Sequence, residues 1–141
     1  MVDSTRNFCE AELSPRILMS HRYEKPLDKS VLQKMGQHGL LGCTFPEVYG
    51  GAALSYVCYG LIASEVERID SAYRSALSVQ SSLVMYPIYS YGNDDMKLQY
   101  LPELAKGNLV GCFGLTVSCS PISLNRFKSL SFFLVKEHSL S

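Results

Sequence analysis

The sequence has no excess of either charge: 13 Lys and Arg stand against 13 Asp and Glu in 141 residues. A generic binder of nucleic acid or of anionic membrane needs a basic surplus, so both classes are set aside. With 5 Cys, 10 Gly and 6 Pro the chain is neither a disulfide scaffold nor collagen-like. No CxxC pair occurs among Cys9, Cys43, Cys58, Cys112 and Cys119, and His21, His38 and His138 are scattered. That spacing argues against a zinc or other metal site, and the odd cysteine count reads as reduced thiols. No apolar run is long enough to span a bilayer. The first ten residues are polar and acidic, unlike a secretory signal or an Arg-rich transit peptide. What remains is 47% hydrophobic and 18% charged, the composition of one globular domain with a core.

Helical periodicity dominates. Residues 4–19 read as a helix that Pro15 interrupts or bends. Lys25-Pro26 opens a second helix over 27–35, ended by Gly36 and Gly39. A turn-rich loop follows from Gly39 to Gly51. Leu54, Val57, Cys58, Leu61, Ile62, Val66 and Ile69 recur at three and four, predicting one buried face with Glu65 and Arg68 off it. Asp70-Ser71 marks a break and a new N-cap. The helix from Ala72 to Met85 is rich in small and hydroxyl residues, suited to a crowded interior or a ligand cleft. Asn93-Asp94-Asp95 caps a further helix through Leu104, closed by Gly107. Residues 109–115 (LVGCFGL) read as the start of a strand. Past Val117 come seven serines, one glutamate and no aspartate, with no cap or turn logic around residues 130–135.

Arg74 is the charge with most to explain. Asp70 and Glu67 precede it by four and seven residues, which on a continuous helix puts all three near one face. Two readings stay open: a surface ion pair, or an anion receptor with Ser75 beside it, since arginine binds a carboxylate through two parallel charge-assisted bonds. Gly36, Gly39 and Gly42 form a GxxGxxG run without the preceding strand that a dinucleotide site requires, and read as helix termination. Gly111 and Gly114 serve either tight packing or close backbone approach to a cofactor. Met85, Tyr86, Tyr89 and Tyr91 around Pro87 read as core and helix terminus. Ser78, Ser81 and Ser82 lack a nearby His with an orienting acid, and no carboxylate pair suggests glycosidase chemistry.

The stretch YGLIASEVERIDSAYRSALSVQSSLVMYPIYSYG (residues 59–92) resembles the acyl-CoA dehydrogenase family. LPELAKGNLVGCFGLT (residues 101–116) fits that family's YLP-LA-G---G-F-LTEP pattern, and RNFCEAELSPRI and QKMGQHGLLG fit its first helices. DSAYRSALSVQSSLVMYPIY is most similar to the branch that acts on glutaryl-CoA. The resemblance implies an all-α fold, the N-terminal helical bundle of the family over residues 1–108, with residues 109–116 opening a β-domain. It implies FAD as cofactor, an acyl-CoA (glutaryl-CoA) as substrate, crotonyl-CoA and carbon dioxide as products, and electron-transfer flavoprotein as electron acceptor. It also implies a homotetramer in the mitochondrial matrix. Arg74 and Ser75 match the pair that contacts the glutaryl carboxylate, and Glu67 an acid near that pocket. Phe113, Gly114, Leu115 and Thr116 match the start of the FAD-contacting segment.

The match stops after Thr116, where the family continues Glu-Pro-x-Ser-Gly-Ser-Asp and this chain reads Val-Ser-Cys-Ser-Pro. Residues 117–141 are therefore expected to be a disordered non-family tail, the strand at 109–116 to lack a partner, and the chain to be a fragment without the catalytic base, inactive alone. Two alternatives are another acyl preference within the family, or a non-catalytic helical interaction module.

Overall fold

The computed structural model describes residues 2–24, 26–112 and, for the backbone, 113 and 132–135. Lys25, Cys119, His138, Gly114, Leu115, Thr116 and most of the tail lie outside the described residues.

The first helix does not break at Pro15. α1 (Val2–Phe8), a π-helical stretch π1 (Cys9–Leu13) and α2 (Ser14–Arg22) follow one another with right-handed helical backbone at both junctions. Proline has no N–H to return to the carbonyl four residues back, and the wider π turn just ahead of it absorbs the missing bond. The same device recurs downstream. α5 (Ser71–Ser78), π2 (Val79–Met85) and α6 (Tyr86–Tyr91) also run on, with Pro87 in the first turn of α6. Helix therefore continues to Tyr91, beyond the end expected at Met85.

Side-chain caps start the other helices. α3 (Lys29–Gln37) begins at Asp28, which accepts from Ser30 N, rather than at Lys25-Pro26. α4 (Tyr56–Glu67) begins at Ser55 and α7 (Asp94–Ala105) at Asn93. Asp70 caps α5 by accepting from Ala72 N at 2.7 Å, as its position in the sequence indicates. Each such bond satisfies an amide that the helix leaves without a partner. α3 ends at Gly39 (φ 68°), not at Gly36, which lies inside the helix.

Two apolar clusters make the core. The first joins Phe8, Leu13, Val31, Met35, Leu41, Ile62, Val66 and Leu77 from α1, π1, α3, α4, α5 and the loop after α3. The second joins Phe45, Val84, Met85, Ile88, Leu101 and Leu104 around π2, α6 and α7. Each fully buried side chain of this size stabilises the fold by about 1.5–3 kcal/mol relative to exposure. The single buried stripe expected on α4 is only half right. Ile62 and Val66 are buried, but Val57 and Leu61 are 74% and 49% exposed. Here apolar residues occupy both sides of one helix, and only one side meets the core.

The strand expected to stand alone has a neighbour. β1 (Val110–Phe113) pairs antiparallel with β2 (Phe132–Val135), Val110 opposite Val135 and Phe113 opposite Phe132.

α3 and the turn after α7 touch backbone to backbone. A Cβ on Gly36 would lie 2.3 Å from the Lys106 carbonyl carbon, and one on Gly107 (φ 72°) 2.5 Å from Leu32 O. In contrast, a Cβ on Gly60, inside α4, would meet nothing within 4 Å. Opposite signs follow. Gly107→Ala is expected to lower unfolding free energy in urea by about 1–3 kcal/mol, combining clash with left-handed strain. Gly60→Ala is expected to raise it by about 0.5–1 kcal/mol. A neutral Gly107→Ala would contradict the close pass.

Candidate functional site

Glu67 closes α4, the chain turns through Arg68 and Ile69, and Asp70 opens α5. That turn decides which acid Arg74 meets. Arg74 Nε donates to Glu67 Oε2 at 2.6 Å, and Ser71 Oγ donates to Glu67 Oε1 at 2.5 Å. The Ser71 hydroxyl first, then the Arg74 guanidinium, hold the Glu67 carboxyl below its usual range. Asp70 faces elsewhere: its Oδ2 lies 2.6 Å from His21 Nε2 while Oδ1 caps α5. His21, then the Ala72 amide, keep the Asp70 carboxyl below its ordinary value of 3.8. Of the three charges expected on one face, the structure joins two and gives the third to a histidine 49 residues away in sequence.

The Arg74 side chain is 38% exposed, and only its Nε is engaged by Glu67. The hydrogen bond from Arg74 to Glu67 runs through Nε. Glu67 thus restrains the guanidinium, while the side chain stays partly exposed. Ser75 is exposed next to it. Ser78, one turn on, comes within 3.4 Å of the Tyr59 hydroxyl.

Beyond Ser78 the surface dips into a recess of about 220 Å³ lined by Thr44, Phe45, Tyr56, Tyr59, Ser82 and Tyr86. Ser81, buried at its rim, accepts from Gly42 N at 3.1 Å. In the hydroxyl-rich helix Ser81 packs inside and Ser82 faces out. A larger hollow of about 680 Å³ lies between α2, α3 and the start of α5, lined by Arg16, His21, Asp28, Asp70 and Tyr73 among others. Arg74, Ser75 and Glu67 do not line it.

Sequence reasoning passes over one buried polar group. Gln80, 5% exposed in π2, donates through Nε2 to Gly111 O at 2.8 Å and accepts at Oε1 from Gly111 N at 3.0 Å. Its signal was available: Gln80 falls between Leu77 and Val84 on the buried stripe, where a polar group must find partners. This clasp anchors β1, whose last residue is Phe113. Gly114, Leu115 and Thr116, the rest of the expected cofactor segment, lie outside the described residues.

Burial pushes the Cys9 and Cys43 thiols up to about 11, so both stay protonated and unreactive. Among the described residues no group of three His, Cys, Asp or Glu is placed to hold a metal ion. No described helix is long and apolar enough to cross a membrane.

The profile of the acyl-CoA dehydrogenase N-terminal domain matches residues 1–108. An acyl-CoA dehydrogenase of Bacillus subtilis (strain 168) is 40% identical over 112 residues, 79% of this chain and 29% of that one. The mitochondrial short-chain specific acyl-CoA dehydrogenase of Rattus norvegicus is 34% identical over 111 residues, 79% of this chain and 27% of its own. A crystal structure of a glutaryl-CoA dehydrogenase from Mycobacterium smegmatis, in complex with FADH2, superposes with a TM-score of 0.74 at 35% identity, covering 77% of this chain and 28% of that one. The chain thus spans less than a third of the length of each of these relatives.

Asp70 ties acid sensitivity to the start of the Arg74 helix. A carboxyl held low in the folded state contributes stability above its unfolded value, here near 3.8, and loses it as pH falls below. Asp70→Ala is expected to cost about 1–2 kcal/mol at neutral pH through the lost cap. It should also make urea stability fall less steeply between about pH 5 and pH 1 than in the parent. An unchanged acid slope would show that the His21 contact does not hold in solution.

Proposed function

From the premise that the chain belongs to the acyl-CoA dehydrogenase family, we propose that it is the N-terminal part of an FAD-dependent dehydrogenase acting on a dicarboxylic acyl-CoA, glutaryl-CoA. The observation that carries this reading is Arg74, partly exposed on α5 with its Nε engaged by Glu67. In it, the helical domain spans residues 1–108, residues 109–116 enter a β-domain, and residues 117–141 follow as a tail outside the family pattern. The similarity to a solved glutaryl-CoA dehydrogenase supports the substrate choice.

The proposed work of these residues is recognition. Nη1 and Nη2 of Arg74 bind the two oxygens of the terminal carboxylate, and the Ser75 hydroxyl adds a third donor. Glu67 touches no substrate; it holds the guanidinium plane and is itself held by Ser71. Because Glu67 is engaged on both oxygens, we assign it no proton transfer. A monocarboxylic acyl chain leaves the arginine without its partner, which is how such a site discriminates. FAD, when bound, supplies the hydride acceptor for oxidation of the acyl chain. Phe113 to Thr116 are proposed to hold it, with the glycine at 114 leaving a backbone amide free of side-chain bulk; the Gly111 amide is already taken by Gln80. Electron-transfer flavoprotein as acceptor, a homotetramer and a place in the mitochondrial matrix complete the proposal; the rat relative is named as mitochondrial.

Calorimetric titration with glutaryl-CoA and butyryl-CoA tests it. The parent chain is expected to prefer glutaryl-CoA. Arg74→Gln is expected to weaken glutaryl-CoA by about 10- to 100-fold, the range of a charge-assisted hydrogen-bond pair, and to leave butyryl-CoA unchanged. Equal affinity of the parent for both esters would overturn the dicarboxylic reading.

A further inference from the structure

Two arginines of this chain meet glutamates in different ways. Arg6 grips Glu65 through a fork, Nε to Oε2 at 3.1 Å and Nη2 to Oε1 at 2.7 Å. Both carboxylate oxygens are then committed to one guanidinium. Arg74 meets Glu67 through Nε on Oε2 at 2.6 Å. The other oxygen, Oε1, accepts from the Ser71 hydroxyl at 2.5 Å. Glu67 ends α4 and Ser71 begins α5, so the turn between the helices brings the hydroxyl onto the carboxylate. What distinguishes the two pairs is the donor on Oε1: an arginine Nη at Glu65, a serine hydroxyl at Glu67.

We propose that Ser71 is a positioning residue that keeps Arg74 open to a ligand: its hydroxyl occupies Glu67 Oε1 and stops the internal pair from closing into the fork that Arg6 makes with Glu65. This rests on the reading, given above, that Arg74 receives the terminal carboxylate of the substrate. A closed fork would commit to an internal acid the paired donors that grip a ligand carboxylate, and the ligand would have to displace it. Ser71 needs no contact with the ligand. It acts on Glu67, and Glu67 acts on Arg74.

Ser71→Ala removes the hydroxyl and Ser71→Thr keeps one. The Asp70 cap on Ala72 N does not use the Ser71 side chain, and alanine suits a helix, so α5 keeps its start in the variant. NMR of the Arg74 guanidinium in the full chain without ligand reads whether the fork has closed. Rotation of the Nη groups is expected to be slower in Ser71→Ala than in the parent, and to return to the parent rate in Ser71→Thr. Calorimetric titration with glutaryl-CoA reads the consequence. Ser71→Ala is expected to bind it about 10-fold more weakly, and Ser71→Thr like the parent. On a Glu67→Ala background the Ser71→Ala loss is expected to vanish, because no internal acid is left to close the fork. Nη rotation unchanged in Ser71→Ala, or an equal loss of affinity on both backgrounds, would overturn the proposal. A parent that binds butyryl-CoA as well as glutaryl-CoA, with Nη rotation slowed in Ser71→Ala, would overturn the dicarboxylic reading while supporting the role of Ser71.

Discussion

One buried amide connects the helical bundle to everything after it. Before Val110 the chain is helix and turn packed on apolar clusters; at Val110 it becomes strand, held on the bundle by Val110's packing and by Gly111's contacts with Gln80 and Val84. An apolar residue at position 80 would leave a buried N–H and C=O without partners, at a cost of about 1–3 kcal/mol for each. The polar side chain therefore specifies as well as stabilises. Apolar packing alone tolerates sliding, whereas a donor and an acceptor matched to one residue do not.

Gln80 faces inward because π2 carries it there. Pro87 cannot return a bond to the turn before it, and the π turns ahead of it widen the helix without ending it. The same logic works at Pro15 and π1. Each widened turn shifts the phase of the helix that follows. In the second case the inward face passes from Tyr73 and Leu77, in the first cluster, to Val84, Met85 and Ile88, in the second. Two cores thus share one helical rod, and the clasp sits at the handover.

Local chemistry was the legible part of the sequence. Asp70, Asn93 and Gly107 announce helix ends because each acts within a few residues of itself. What depends on distant partners was not legible. Gly36 looks like a helix terminator but is a contact point for the Lys106 backbone. Val57 and Leu61 follow the buried period of α4 yet face away from the core, since periodicity does not say which apolar side is covered. β2 comes from a segment with no strand punctuation around it. At the candidate site, Arg74 and Glu67 could be paired by spacing, while the diversion of Asp70 to His21 could not, because the chain bends at residues 68–70.

The Glu67–Arg74 pair is a poor device for holding the fold, which suits the ligand-holding role proposed for it. Both side chains are more than a third exposed, and such pairs add little to stability. Other pairs serve the fold better: Glu65, 13% exposed, takes both Arg6 and Arg68 and ties α1 to α4. Arg74 spans only the short turn from α5 back to the end of α4, where Glu67 sits with Ser71. Its carboxylate partner restrains Nε and leaves the remaining donors in a fixed plane. A ligand carboxylate arriving at Nη1 and Nη2 then meets a guanidinium already oriented, so less side-chain freedom is lost on binding than for a free arginine. Removing Glu67 would keep the charge and lose the aim.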